Sequence, residues 1–207
     1  MGSLMRVTRA QAEENRRMVI EAAGRLFRQH GFDGVGLNAL MGAAGLTQGG
    51  FYKQFGSKDD LAVQACDSVL AESAEEMTRL VENSGDDPLA TILSQYLSCA
   101  HRDQIAEGCI IPALGPDAAR HSPALIRSFE TGIRSYLEIL ERAMQTSSAE
   151  GEKRDPAVVL STMVGALLLS RLVEDEILSK RILDTAVGSL LNRNDKSEAK
   201  LAGRGHS

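Results

Sequence analysis

A chain of 207 residues is long enough to bury a sizeable core as one large domain or two small ones. Aromatic residues make up 4% and Trp is absent, while Ala, Leu and Glu are plentiful, which favours helix over sheet. The formal charge of −5 argues against sequence-independent nucleic-acid binding by the whole molecule, and Cys66, Cys99 and Cys109 are too few for a disulfide scaffold.

The charge is unevenly placed. Residues 1–60 carry eight Lys/Arg against six Asp/Glu, a balance of +2, and residues 61–207 carry fifteen against twenty-two, a balance of −7. An N-terminal third that can meet phosphates is joined to a remainder that repels them, which would orient the chain on DNA. No apolar run approaches the ~20 residues of a membrane span, and no signal peptide is evident at the start. The expectation is a cytoplasmic protein with no membrane partner.

The first helix is expected from Gln11 to His30, with Val19, Ala23, Leu26 and Phe27 inward and Arg16, Arg17, Arg25 and Arg28 on the exposed side. Gly31 follows as a helix-ending residue. Leu37, Leu40, Met41 and Ala44 then fall at i, i+3, i+4 and i+7, the apolar face of a short second helix. Gly45 suits a tight turn of positive φ. Thr47 is placed to cap a second short helix that buries Phe51 and Phe55 and leaves Gln48, Gly49, Tyr52 and Lys53 elsewhere on its surface. A short helix bearing small, amide, phenol and cationic groups suits a DNA major groove.

Ser57 and Asp60 form an S-x-x-D box opening a long helix that runs to about Glu82 and joins two domains. Asp87-Pro88, Ser122-Pro123 and Asp155-Pro156 each pair a capping residue with Pro at the first helical position. The first of these helices buries Leu89, Ile92, Leu93, Tyr96, Leu97 and Ala100. The second carries Leu125, Phe129, Ile133, Tyr136 and Leu140. The third, Val158 to Val173, is apolar nearly all round, as a helix buried on several sides would be. A last helix is expected from Lys180 to Asn192, followed by a polar tail. The reading is all-α, with a helix-turn-helix DNA-binding domain at 1–60, a helical ligand-binding and dimerisation domain at 61–194, and a disordered tail at 195–207.

The stretch Gly31-Phe32, Ala44-Gly45-Leu46, Thr47-Gln48-Gly49-Gly50-Phe51-Tyr52-Lys53-Gln54-Phe55 and Ser57-Lys58-Asp59-Asp60-Leu61 resembles the DNA-binding domain of the TetR family of bacterial transcriptional regulators. With the preceding helix the resemblance covers about residues 10–62. Two positions depart from the family pattern. Val35 and Gly36 stand where Ser or Thr usually opens the first short helix, and Gln54 stands where His or Tyr often precedes the closing Phe.

The resemblance implies a homodimeric repressor, released from double-stranded operator DNA by a small molecule entering the C-terminal domain. The DNA-contacting residues would be Thr47, Gln48, Gly49, Gly50, Tyr52, Lys53 and Lys58. The family pairs its two C-terminal helices with their symmetry mates, which points to Leu168, Leu183, Val187 and Leu190 for the dimer interface. A mostly apolar pocket is expected behind Tyr96, Phe129, Ile133 and Tyr136 with Cys99 and Cys109 near it, beside an irregular segment from Gly108 to Pro116.

Two other readings stand beside this one. In a thiol or electrophile switch, Cys109 would be activated by the positive charge of His101 or Arg102. In a helical small-molecule-binding protein or enzyme, the DNA head would be vestigial. No nucleotide-binding motif, metal-ligand spacing or nucleophile signature supports catalysis, so no cofactor, metal or catalytic residue is expected.

Overall fold

The structure, a computed structural model, describes residues 8–146 and 154–191. Every regular element among them is a helix, as the composition requires. The chain runs through α1 (Arg9–His30), α2 (Leu37–Ala43), a 3₁₀ helix (Gln48–Lys53), α3 (Lys58–Asn83) and α4 (Pro88–Tyr96). It continues through α5 (Cys99–Asp103), α6 (Ile110–His121), α7 (Pro123–Thr146), α8 (Pro156–Arg171) and α9 (Glu176–Leu190). The polar tail at 195–207 lies outside the described residues.

The capping residues do what their chemistry allows. Ser57 accepts from the Asp60 N–H, Asp87 from Ala90 and Asp155 from Ala157, each satisfying an orphan donor of a first turn. Ser122 does the same for Leu125 ahead of α7. The Ser57 box is not reciprocal, because the Asp60 carboxylate turns to the N–H of Gly56 instead.

The head made by α1, α2 and the 3₁₀ helix closes over Phe27, Leu40, Met41, Phe51 and Phe55, all buried. Its core is continuous with that of the C-terminal helices, because α3 packs on α1 at one end and along α7 over most of its length. Two glycines set these crossings. A Cβ at Gly24 would lie 2.8 Å from Val69 Cγ2, and one at Gly132 would lie 2.6 Å from Leu70 Cδ2.

Four expectations are corrected. The fourth helix stops at Tyr96 rather than Ala100, because Ser98 caps a new short helix and Ala100 is left exposed. The segment from Gly108 to Pro116 is irregular only at Gly108 and Cys109. From Ile110 it forms the start of α6, where Pro112 falls in the first turn and needs no hydrogen bond. Pro116 does forgo one, and burial of Ile110, Leu114 and Ala118 against neighbouring helices outweighs that loss. The last helix opens at Glu176, not Lys180, since Asp175 accepts from the Ile177 and Leu178 N–H groups. Finally, Arg16 and Arg28 do not share the exposed side of α1: Arg16 is half-buried and Arg28 only 8% exposed.

Candidate functional site

The turn between α2 and the 3₁₀ helix is built on Gly45, whose φ of +70° is a conformation that glycine adopts without strain. Phe51 and Phe55 then anchor the 3₁₀ helix, their ring centroids 5.4 Å apart. Arg16 locks the following turn. Its guanidinium donates to the Gln54 carbonyl and to Gln64 Oε1, and lies 4.8 Å from the centroid of the Phe55 ring. The role of Arg16 is not visible in the sequence, because its partners lie 38 and 48 residues away.

With its apolar side pinned, the 3₁₀ helix presents its other face outward. Thr47, Gln48, Gly49, Tyr52 and Lys53 are all exposed, Tyr52 at 72%, and its ring stands edge-on against Phe51. Gly50 is half-buried and a Cβ there would meet only Met41 Cε, at 3.7 Å. The element is 3₁₀ rather than α, and Thr47 sits at its N-cap position in extended geometry without a side-chain capping bond. The hydroxyl is therefore free for another acceptor or donor. Gly36 likewise offers no side-chain cap to α2.

Lys58 opens α3 beside this face and is half-buried. Asp59 and Asp60 share its turn. The Gly56 N–H, then the Gln64 amide, hold the Asp60 carboxyl below the usual carboxylate range, so it stays an anion that organises the turn. Lys53 and Lys58 form no ion pair among the described residues.

A cavity of about 350 Å³ opens between α3, α4, α5 and α7, at the small end of ligand-pocket sizes. Tyr96, Cys109 and Tyr136 line it together with Met77, Leu80 and Ile92. Two expected wall residues, Phe129 and Ile133, do not, and neither does Cys99, expected near it. Phe129 is turned into the core, while Ile133 and Cys99 pack half-buried elsewhere. Cys99 instead borders a groove between the α4–α5 region and α9. The helix stripe predicted which residues point inward but not which of them meet a void, since that depends on the neighbouring helices.

The polar wall is closely organised. Burial pushes the phenols of Tyr96 and Tyr136 well above their ordinary range, so both stay protonated. Neither hydroxyl has a hydrogen-bond partner in ordinary geometry, although the Cys109 thiol adjoins both and Ser73 adjoins Tyr136. Cys109 occupies the N-cap of α6, is 6% exposed, and its thiol is raised by burial.

His101 does not activate that thiol. Its Nε2 accepts from the Cys109 backbone N–H at 2.9 Å, and Nδ1 faces the Tyr96 carbonyl at 2.7 Å, which fixes a neutral ring with the proton on Nδ1. Burial lowers its pKa. Arg102 does not supply charge there either, because its guanidinium is taken by Asp103, Glu176 and Ser179.

The cavity and the head are in physical contact through two routes. The turn at 104–108 borders the cavity, and α1 grips it: Arg28 Nε donates to the Ala106 carbonyl and Arg25 pairs with Glu107 at 2.7 Å. At the far end of α6, His121 stacks on Phe32 at 5.3 Å and approaches Asp59 at 3.6 Å.

On the C-terminal pair of helices, Leu183 and Leu190 are 1% and 4% exposed within a single protomer, so they cannot themselves form a direct partner contact. Leu168 and Val187 are half-buried. The outward apolar residues are Val158, Leu169 and Leu172 of the α8 region and Ile177 of α9, each more than half exposed. A helix stripe defines a buried face but does not say whether the cover comes from the same chain. No described helix is long and apolar enough to cross a membrane.

Comparison with known proteins agrees with this arrangement. The family described as "Bacterial regulatory proteins, tetR family" matches residues 19–65. The HTH-type transcriptional regulator LmrA of Bacillus subtilis (strain 168) is 26% identical over 166 residues, covering 76% of this chain and 86% of that protein. The HTH-type transcriptional repressor NemR of Escherichia coli (strain K12) is 24% identical over 137 residues, covering 64% of this chain and 68% of NemR. The crystal structure of the reduced form of E. coli NemR superposes with a TM-score of 0.74 at 21% identity, covering 86% of this chain and 96% of that one. A crystal structure of AibR in complex with isovaleryl coenzyme A and operator DNA shares the fold at a TM-score of 0.58 and 18% identity, covering 84% and 97%.

Proposed function

The chain belongs to the TetR family of bacterial regulatory proteins, and on that premise we propose that it is a homodimeric repressor which a small molecule releases from double-stranded operator DNA. Its curated relatives are named as transcriptional regulators, and the chain is a DNA-binding transcriptional regulator, not an enzyme. Binding to an operator would place it in the bacterial cytoplasm.

The observation that carries the proposal is the outward face made by Thr47, Gln48, Gly49, Tyr52 and Lys53, held in place by Phe51, Phe55 and Arg16. Lys53 and Lys58 supply charge to phosphates, and Thr47 and Tyr52 supply hydroxyls. Gln48 reads an adenine edge through two hydrogen bonds, while Gly49 and Gly50 let backbone and groove come close. Two such faces reach successive major grooves when a dimer holds them about 34 to 36 Å apart. The dimer forms through the outward face of α8, where Val158, Leu169 and Leu172 line one side of the helix around the open Gly165.

Effector control is supported by the cavity and its two contacts with the head. A ligand that moves the 104–108 turn moves the partners of Arg25 and Arg28, and so α1. A ligand that moves α6 moves the surface under Phe32. Either way the ligand can shift the dimer's spacing only by its differential affinity for the two states. That AibR, of the same fold, has been seen with both an acyl-CoA and operator DNA agrees with such a division of labour.

Footprinting on the DNA upstream of the chain's own gene tests the reading. The expected result is a protected pseudo-palindrome that needs more protein to form with Tyr52→Ala or Lys53→Ala; protection indifferent to both would overturn it. A thiol switch at Cys109 is the second reading, favoured by the thiol's place in the cavity wall. The raised pKa weighs against it, since a resting thiolate is the reactive form. Diamide should release operator DNA on that reading, and release retained in Cys109→Ser would dismiss it.

A further inference from the structure

We propose that the cavity takes a cationic, partly apolar molecule carrying a hydrogen-bond acceptor at its inner end, and that binding it draws Glu107 away from Arg25. This rests on the reading above that the cavity receives the effector. The cavity has an electrical direction. Its mouth bears the exposed carboxylates Glu76 and Glu107, and its inner end bears the buried phenols Tyr96 and Tyr136.

No Lys or Arg lines it. His101 lines it but is neutral, with both ring nitrogens engaged. Arg28 and Arg171 lie behind the wall. Arg28 Nε donates to the Ala106 carbonyl, and Arg171 donates through Nε and Nη2 to the Arg102 and His101 carbonyls at 2.9 Å each. A ligand carboxylate would find no cation lining the cavity and two carboxylates at its mouth, whereas a ligand cation at the mouth would find those two carboxylates as partners.

The phenols define the other end of the ligand. Their hydroxyls are buried and protonated, and neither has a hydrogen-bond partner in ordinary geometry, with the Cys109 thiol beside both and Ser73 beside Tyr136. A buried donor with nothing to bond is costly, so a carbonyl or similar acceptor that reaches both is favoured over an apolar group of the same shape. Met77, Leu80 and Ile92 give the lining its apolar part, beside the uncharged polar side chains of Ser73, Gln95, Ser98 and Gln104.

Glu107 connects this chemistry to DNA binding. Its Oε1 lies 2.7 Å from Arg25 Nη2, and the turn it belongs to is held to α1 a second time by Arg28. A cation in the mouth competes with Arg25 for the same carboxylate, loosening one of the two ties between the 104–108 turn and α1.

Calorimetric titration of the full chain with three probes of one shape tests this. The probes are 4-acetyl-N,N,N-trimethylanilinium, its uncharged counterpart 4-tert-butylacetophenone, and 4-ethyl-N,N,N-trimethylanilinium, which lacks the acceptor. The first should bind about tenfold more tightly than either of the others. Glu107→Gln should reduce the preference for charge, and Tyr136→Phe the preference for the carbonyl, with helix content unchanged by circular dichroism.

Arg25→Ala frees Glu107 and should tighten binding of the acetyl cation about two- to fivefold, the range an exposed ion pair supports, without affecting the uncharged ketone. A purely structural role for Arg25 would instead weaken all three. Equal affinity for cation and uncharged ketone overturns the ligand class. No tightening in Arg25→Ala overturns the competition, and no binding of any probe at millimolar concentration overturns the site. None of these results touches operator binding, which the footprint decides without the probes.

Discussion

Replacing Gly132 by Ala tests the close crossing of α3 and α7, two of the helices that border the cavity. The new Cβ would lie 2.6 Å from Leu70 Cδ2 and 2.9 Å from both Cδ1 and Cγ, where ordinary contact begins at 3.4 Å. Rotating the Leu70 methyls gives no relief, because Cγ stays in place, and at 3% exposure Leu70 has nowhere to go. The helix gains up to about 1 kcal/mol from Ala over Gly. Overpacking costs about 1–3 kcal/mol.

The clash with three carbons puts Gly132→Ala toward the upper part of that range, so a net loss of about 1–2 kcal/mol is expected. For a chain of this size that is a fall of roughly 2–8 °C in melting temperature. Gly42→Ala is the matched comparison, since a Cβ there meets nothing within 4 Å. It should raise stability by up to about 1 kcal/mol. Thermal unfolding followed by circular dichroism measures both. A Gly132→Ala chain melting at or above the parent would refute the close crossing.

Lys53→Ala should weaken operator binding across sequences and lower the log–log salt slope by about one, as loss of one phosphate contact does; an unchanged slope in fluorescence anisotropy would place Lys53 off the DNA. Leu169→Glu, on the outward face of α8 and 54% exposed, should give folded monomers by light scattering at micromolar concentration, and a persistent dimer would move the interface elsewhere. His101 gives a pH signature. Burial holds its pKa below the ordinary 6.5, so as pH falls the unfolded chain takes the proton first. Its contribution to stability is whole above about pH 6.5 and is lost as pH drops below that toward the lowered folded value. The melting-temperature gap between the parent and His101→Gln should therefore narrow from about pH 7.5 to about pH 5.5, and a constant gap would mean the ring is not held neutral.

The head was legible because its signals are local. Gly31 and Gly45 mark turns whose positive φ glycine accommodates, and apolar spacing of three and four residues picks out Leu40, Met41, Phe51 and Phe55. The capping side chains at Ser57, Asp87, Ser122 and Asp155 announce helices from within a span of three residues. Where local signals competed, the reading failed. Two prolines concealed α6, and Ser98 divided what looked like one helix ending at Ala100.

The sequence by itself determined an all-helical chain, a helix-turn-helix face from Thr47 to Lys53 and the stripes that point inward, because backbone hydrogen bonding, capping and helical periodicity act over a few residues. Only the tertiary structure decided that Arg16 clamps Phe55, that Arg28 ties α1 to the turn beside the cavity, and that Tyr96 and Tyr136 meet a void where Phe129 meets packed core. It also turned Leu183 and Leu190 inward and left Leu169 and Leu172 facing out. Those outcomes depend on how helices far apart in the chain cross, and a crossing is set by the shapes of both surfaces together, which no single stretch of sequence contains.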